Sequence, residues 1–240
     1  MASESVIIVS LSQRYKNERL FVYSHVMKTR ILSLTIALLG LVAAGCCQNA
    51  PQTPACDGSN PVIDNIMARR SIRQYTEQAV PREILQKLAE CGVNAPNAMN
   101  RQTWEVRIID GQEYFDGLTA VLKDAAPFLS GEGDPNFRNC LRNATAAIAV
   151  ACPDDESGMN LINVGLLCEN VCLAARSLGL GSVIMAGPVR FMESIPEARP
   201  FIDRLNLSEG YKLRIIIGLG YPAEEPDARP RDLGKIQFVE

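Results

Sequence analysis

The sequence predicts an α+β domain, and three observations point there. Segments with helical spacing of apolar residues are interspersed with apolar or alternating segments of strand length. A chain of 240 residues that is 47% apolar and 21% charged can bury one sizeable core. No internal repeat or low-complexity block offers a solenoid or a disordered chain instead. This succession of elements is compatible with an α+β fold but does not select one fold within the class.

Pro61 to Arg69 reads as a helix, with Asn60 as N-cap and Pro61 at its first position. Pro81 to Val93 repeats that logic, its apolar positions Ile84, Leu85, Leu88 and Ala89 following helical spacing. Trp104 to Ile109 alternates as a strand, and Ala144 to Cys152 is an apolar run ended by Pro153, hence a buried strand. Asn160 to Leu178 is the longest helix candidate and is apolar around most of its circumference. That places it in the core or at a subunit interface. Its interruptions, Asn163, Glu169, Asn170 and Arg176, argue against a membrane span and read equally as a solvated stripe or as contacts at an interface or pocket. Val183 to Ala186 and Leu213 to Gly218 are further runs of strand length. Residues 124–140 form the longest stretch without periodicity, where a mobile loop near the active site is expected.

Ahead of this domain, Met27 to Cys47 reads MKTRILSLTIALLGLVAAGCC: two positive charges, an apolar run from Ile31 to Val42, then small residues and cysteine. This is the layout of a signal peptide, too short for a spanning helix of roughly 20 apolar residues. Ala43-Ala44-Gly45-Cys46 resembles a bacterial lipoprotein cleavage box, with Ala43 where Leu is usual and Cys47 as a rival position; an uncleaved anchor is the alternative. The expectation is a lipidated Cys46 in the cell envelope, Met27 as the true start, residues 1–45 as extension and signal, 46–60 as a flexible tether rich in proline and polar residues, and 61–240 as the folded domain.

Charge and composition exclude several chemistries. With 24 Lys and Arg against 27 Asp and Glu, no global basic field exists to hold nucleic acid, and any anion must be gripped locally. The single histidine, His25, lies upstream of the signal. A mature chain without histidine has no His triad, His metal site or imidazole acid-base catalyst, which leaves carboxylates, Cys, Tyr or a cofactor to carry the chemistry. Cys168 and Cys172 lie at helical i, i+4 spacing, poor for a disulfide, and read as buried small apolar residues.

Three clusters could hold a ligand. Arg69-Arg70-Ser71-Ile72-Arg73 puts three guanidinium groups and a hydroxyl at a helix end, a set suited to a phosphate, although a solvated basic patch has the same composition. Asn94 to Trp104 is a polar turn with three Asn and a Gln beside the only tryptophan; amide side chains can read both edges of a heterocycle, and a plain turn would use the same residues. Arg229-Pro230-Arg231 could supply further guanidinium groups to the same anion or be a charged tail. Gly218-Leu219-Gly220-Tyr221-Pro222-Ala223 fits a dinucleotide glycine pattern but is rejected, because prolines and glutamates stand where the phosphate-binding helix should begin.

In this order along the chain, these segments resemble the nitroreductase family of flavin mononucleotide (FMN) enzymes, over about residues 61 to 240. The matching segments are Arg69 to Arg73, Ala95 to Trp104, Leu178-Gly179-Leu180-Gly181-Ser182, Gly218 to Pro222, and Arg229 with Arg231. The resemblance implies a mostly antiparallel sheet flanked by helices in an intertwined homodimer, with one flavin per interface. It implies that Arg69, Ser71, Arg229 and Arg231 hold the flavin phosphate and ribityl chain, with Arg70 in the same segment, and that Arg73 lies near the pyrimidine edge. Asn97, Ala98 and Asn100 would reach the flavin from the neighbouring subunit, and Met185, Ala186 and Gly187 would present a backbone N–H to flavin N5. Asn97 and Ala98 replace the family's usual small hydroxyl residues, Thr103 its proline, and Ala186 stands where some members carry Glu. The implied function is two-electron transfer from NADH or NADPH through FMN to an electron-poor acceptor such as a nitroarene or quinone, with no catalytic side chain and no metal. The alternatives are a surface-anchored flavin- or ligand-binding module without turnover, and dehalogenation or flavin modification on the same scaffold.

Overall fold

The computed structural model describes residues 59–240. The signal layout, Cys46 and the tether as far as Gly58 lie outside the described residues. Helix α1 (Pro61–Ala68) starts as its sequence dictates: Asn60 accepts hydrogen bonds from the N–H groups of Val62 and Ile63 at 3.0 and 3.2 Å, and Pro61 occupies the first turn, where a missing donor is harmless. An extended segment follows, then α2 (Arg82–Val93), a single 3-10 turn at Ala98–Asn100, and strand β1 (Glu105–Ile109). Helices α3 (Gln112–Leu122) and α4 (Pro127–Ser130) lead to β2 (Ala146–Pro153), the long α5 (Met159–Ser177) and β3 (Gly181–Met185). Helices α6 (Gly187–Ser194) and α7 (Arg199–Asp203) precede β4 (Tyr211–Gly220) and an exposed C-terminal segment.

All strand pairs are antiparallel, in the order β1-β2-β4-β3. Strand β2 shows why this sheet needs helices on both faces. Its even-numbered residues Ala146, Ile148, Val150 and Cys152 join Leu85, Leu88, Trp104, Leu167 and Val171 on the α2/α5 side. Ala147 and Ala149 join Phe115, Leu118, Leu122, Met185 and Met192 on the α3/α6 side. Alternation with period two therefore feeds two cores, and an apolar run with no polar face is the sequence of such a strand. Cys168 and Cys172 are each 2% exposed and pack in the first core, as small apolar residues do. Among the described residues no helix is long and apolar enough to cross a membrane.

The expected helices and strands are present with shifted ends. The strand expected at Val183 to Ala186 begins at Gly181 and ends at Met185, because Ala186 turns into α6. The run expected at Leu213 to Gly218 extends to Tyr211–Gly220. Residues 124–140, expected as a mobile loop, are instead tied into the fold: Leu129 and Cys140 are buried, Asn139 donates to the Ala144 carbonyl at 3.0 Å, and Asp134 accepts from Gln74 at 2.9 Å.

Candidate functional site

The arginine segment after α1 is laid along the free edge of the sheet. Ile72 N–H donates to the Ser182 carbonyl at 2.9 Å, pairing Ser71 with Ser182 in a parallel bridge to edge strand β3. Tyr75 pairs with Pro222 just beyond β4, and its hydroxyl donates to the Ile72 carbonyl at 2.6 Å. Burial pushes that phenol far above its usual range, so Tyr75 stays neutral and structural. Glycines make the approach possible. A Cβ on Gly181 would stand 2.8 Å from Ile72 Cβ, and one on Gly220 would stand 2.8 Å from the Tyr75 ring. Gly179, at φ +76°, ends α5 in a Schellman turn, with Leu180 N–H on the Ala175 carbonyl at 2.9 Å and Gly179 N–H on that of Arg176 at 3.1 Å.

Two concavities flank this edge. A groove of about 540 Å³ lies at the start of β3, lined by Arg69, Arg70, Arg176, Gly179 to Ser182 and Pro222 to Pro226. A hollow of about 300 Å³ lies at its end, lined by Arg73, Phe128, Arg142 and Val183 to Pro188. The two adjoin along β3, the groove taking Gly181 and Ser182 and the hollow Val183 to Met185. Both are cationic. In the groove, Arg69 Nε meets Glu169 Oε1 at 3.1 Å, and Arg70 donates to the carbonyls of Met67 and Arg69 at 2.7 and 2.8 Å. The Glu224 carboxylate accepts from the backbone N–H of Arg73 and of Gln74, the latter at 3.2 Å, and so fastens the wall after β4 to the arginine segment. In the hollow, neither Arg73 nor Arg142 pairs with a carboxylate among the described residues; Arg73 donates to the Ser71 carbonyl at 3.2 Å, and Arg142 stands 5.5 Å over the Phe128 ring. Burial, and then the charge of Arg73, disfavour the protonated state of Arg142. An anionic group in the hollow relieves both costs.

The structure thus gathers Arg69, Arg70, Ser71, Arg73, Met185, Ala186 and Gly187 along one edge. Asn97, Ala98 and Asn100 line neither concavity. They lie against the N-terminal half of α5, where Ala98 N–H donates to Asn163 at 3.4 Å and Asn97 accepts from Gln102 N–H at 2.9 Å. Arg229 and Arg231 lie on the exposed C-terminal segment, past the groove wall that stops at Pro226. Arg176, one of the helix interruptions read either as a solvated stripe or as a contact at an interface or pocket, lines the groove, and Arg142, which no sequence signal marked, lines the hollow. The two helix cysteines are not poised as nucleophiles: burial pushes the Cys168 thiol up to about 12 and raises that of Cys172. No buried side-chain nitrogen or oxygen among the described residues lacks a partner.

A family model described as "Nitroreductase family" matches residues 66–221, which contain the edge strand and the arginine segment and end just before the groove wall. The chain belongs to the nitroreductase family. A nitroreductase with bound FMN from Desulfitobacterium hafniense has 27% identity and a TM-score of 0.66, covering 76% of this chain and all of that one. A second FMN-bound nitroreductase, from Bacteroides fragilis, has 25% identity and a TM-score of 0.63, with 76% and 100% coverage. An NADH dehydrogenase from Thermus thermophilus is 30% identical over 196 residues, 69% of this chain and 90% of its own length. The nitroreductase fold is therefore what this sheet and its two helical layers build.

Proposed function

We propose that the chain binds FMN along the β3 edge and is an NAD(P)H-dependent oxidoreductase acting on electron-poor acceptors of the nitroarene or quinone class. The observation that carries this reading is the pair of adjoining, arginine-lined concavities along one glycine-backed edge strand, a shape suited to an elongated cofactor with a phosphate at one end and an electron-accepting ring at the other. The residues present fit that group. Arg69 and Ser71 would hold the phosphate and ribityl chain, with Arg70 and Arg176 beside them. Arg229 and Arg231 lie three and five residues past Pro226, spans of at most about 11 and 18 Å, so Arg229 can reach the same groove and Arg231 can do so where the chain turns back. Arg73, joined by Arg142, would face the pyrimidine edge, and the backbone from Met185 to Gly187 would face the ring nitrogen. Bound FMN supplies the two-electron transfer between donor and acceptor. The chain's own contribution is to hold, orient and electrostatically bias that group, which requires no histidine.

The site is proposed to be completed by a second copy of the chain. Val62, Ile63, Ile66 and Met67 on α1 and Met159, Ile162 and Leu166 on α5 are all exposed, an apolar surface of the kind that subunit contacts cover. Asn97, Ala98 and Asn100 lie beside α5 and so could be presented across such a contact.

The test is direct. Purified protein should be yellow, release FMN on denaturation, bleach anaerobically with NADH or NADPH, and recover its colour with a nitroarene or quinone. A protein that takes up no FMN would overturn the reading; one that binds FMN but is bleached by neither donor is a binding module without turnover.

A further inference from the structure

Arg73 and Arg142 face the same hollow, and each is followed immediately by a side-chain amide, Gln74 and Asn143. Those two amides meet across 69 residues of sequence: Asn143 Nδ2 donates to Gln74 Oε1 at 3.0 Å. Asn143 is 2% exposed, and both it and Arg142 have left-handed backbones, at φ 62° and 61°. Two successive residues in that region persist only where the surroundings impose them. Here the surroundings do so completely. Asn143 Oδ1 accepts from the N–H groups of Arg138 and Asn139 at 2.7 and 3.2 Å, and Nδ2 also donates to the Asn136 carbonyl at 3.2 Å. Gln74 Nε2 is in turn held by Asp134 Oδ2 at 2.9 Å. The amide capacity of Asn143 is fully used, and none of it touches the hollow.

Two like charges around one small cavity repel, and without restraint their side chains and backbones would turn apart. We propose that the Asn143–Gln74 amide clamp fixes the spacing of the Arg73 and Arg142 guanidinium groups, and thereby sets how strongly the hollow prefers the reduced over the oxidised form of the bound cofactor. Asn143 and Gln74 are positioning residues, acting through the two arginines. The strained backbone at Arg142 then has a use, because it aims that side chain toward Phe128 and the end of β3. This inference rests on the placement of the flavin's pyrimidine end in the hollow.

Gln74→Met removes the clamp while keeping chain length and leaving the strained residue itself untouched. In FMN-saturated protein it should weaken the preference for reduced over oxidised cofactor about tenfold, a midpoint potential lower by about 30 mV for a two-electron couple. In an Arg142→Ala background the same substitution should move the potential no further, since the spacing that the clamp fixes no longer exists. Asn143→Gly, which permits the left-handed backbone without the amide, should match Gln74→Met. An unchanged potential in Gln74→Met, or an equal additional drop in the Arg142→Ala background, would overturn the clamp. If Arg73→Ala and Arg142→Ala shift the potential while Gln74→Met does not, the clamp alone falls. If neither arginine shifts it, the flavin placement falls and the clamp with it.

Discussion

The Ile72 side chain sits against the Cα of Gly181, with its Cβ, Cγ1 and Cγ2 all within 2.9 Å of where a Cβ on that glycine would stand. Ile72 is itself buried and β-branched, so it cannot swing aside. Gly181→Ala should therefore push the arginine segment off the sheet edge. The expected cost is about 1–3 kcal/mol of stability from overpacking, with a parallel loss of FMN affinity. Denaturant titration and flavin fluorescence on the same variant check it; an alanine accepted at full stability and affinity would contradict the close approach.

Arg69 is the groove arginine held by a carboxylate, through Nε on Glu169, leaving its terminal nitrogens for an anion. Arg69→Ala should weaken FMN binding by roughly 1.5–3 kcal/mol, the worth of a charge-assisted bond. The potential of the FMN-saturated variant should stay where it was. Equilibrium dialysis together with a potentiometric titration separates the two effects.

Arg73 should behave in the opposite way. A positive charge at the pyrimidine edge stabilises negative charge that develops on reduction more than it stabilises the oxidised ring. Arg73→Ala should thus lower the midpoint potential by several tens of millivolts, about 30 mV for each 1.4 kcal/mol, and slow reduction by NAD(P)H even when FMN is saturating. Looser flavin binding at an unchanged potential would move Arg73 to the phosphate end.

A charge placed on the exposed apolar surface tests the second copy. Ile66 and Ile162 are exposed within one chain, where substitution ordinarily changes stability by less than about 0.5 kcal/mol. Ile66→Glu and Ile162→Glu should yield folded monomers with much weaker FMN binding. Analytical ultracentrifugation is the readout, and monomers of full affinity would remove the shared-site proposal.

If the Lys28 to Cys46 layout is a lipoprotein signal, the mature protein should begin at Cys46 and carry lipid. Intact-mass measurement of protein from its native host decides this, and an unmodified chain beginning at Met1 or Met27 would refute it.

Much of the fold and part of the site were legible because the deciding interactions are local. Asn60 before Pro61, the Gly179 helix end and the all-apolar run of β2 each state their structure within a few residues. Helix α3 has Phe115, Leu118 and Leu122 at helical spacing, but it opens after Gly111 with no side-chain cap, so nothing marks its start. Helix α6 likewise lacks a capping side chain and follows β3 with a single residue between them. Arg142 gave no signal at all. It is one arginine between the aperiodic stretch and the apolar run of β2, and its neighbour Asn143 meets Gln74, beside Arg73, through a hydrogen bond between residues 69 positions apart, which no period or spacing encodes. Residues 124–140 were misread for the same reason: their order comes from distant partners such as Gln74.

The edge on which the arginines lie is assembled from residues 69–75, 179–187 and 222–226, near the beginning, past the middle and close to the end of the folded part. No shorter stretch of chain contains a half-formed version of it. A ligand spanning that edge can recognise only the finished fold, and it then adds about 1.4 kcal/mol to stability for every tenfold excess of its free concentration over Kd. A cofactor bound there braces three distant parts of the chain at once, and the protein's resistance to unfolding should track how much cofactor surrounds it.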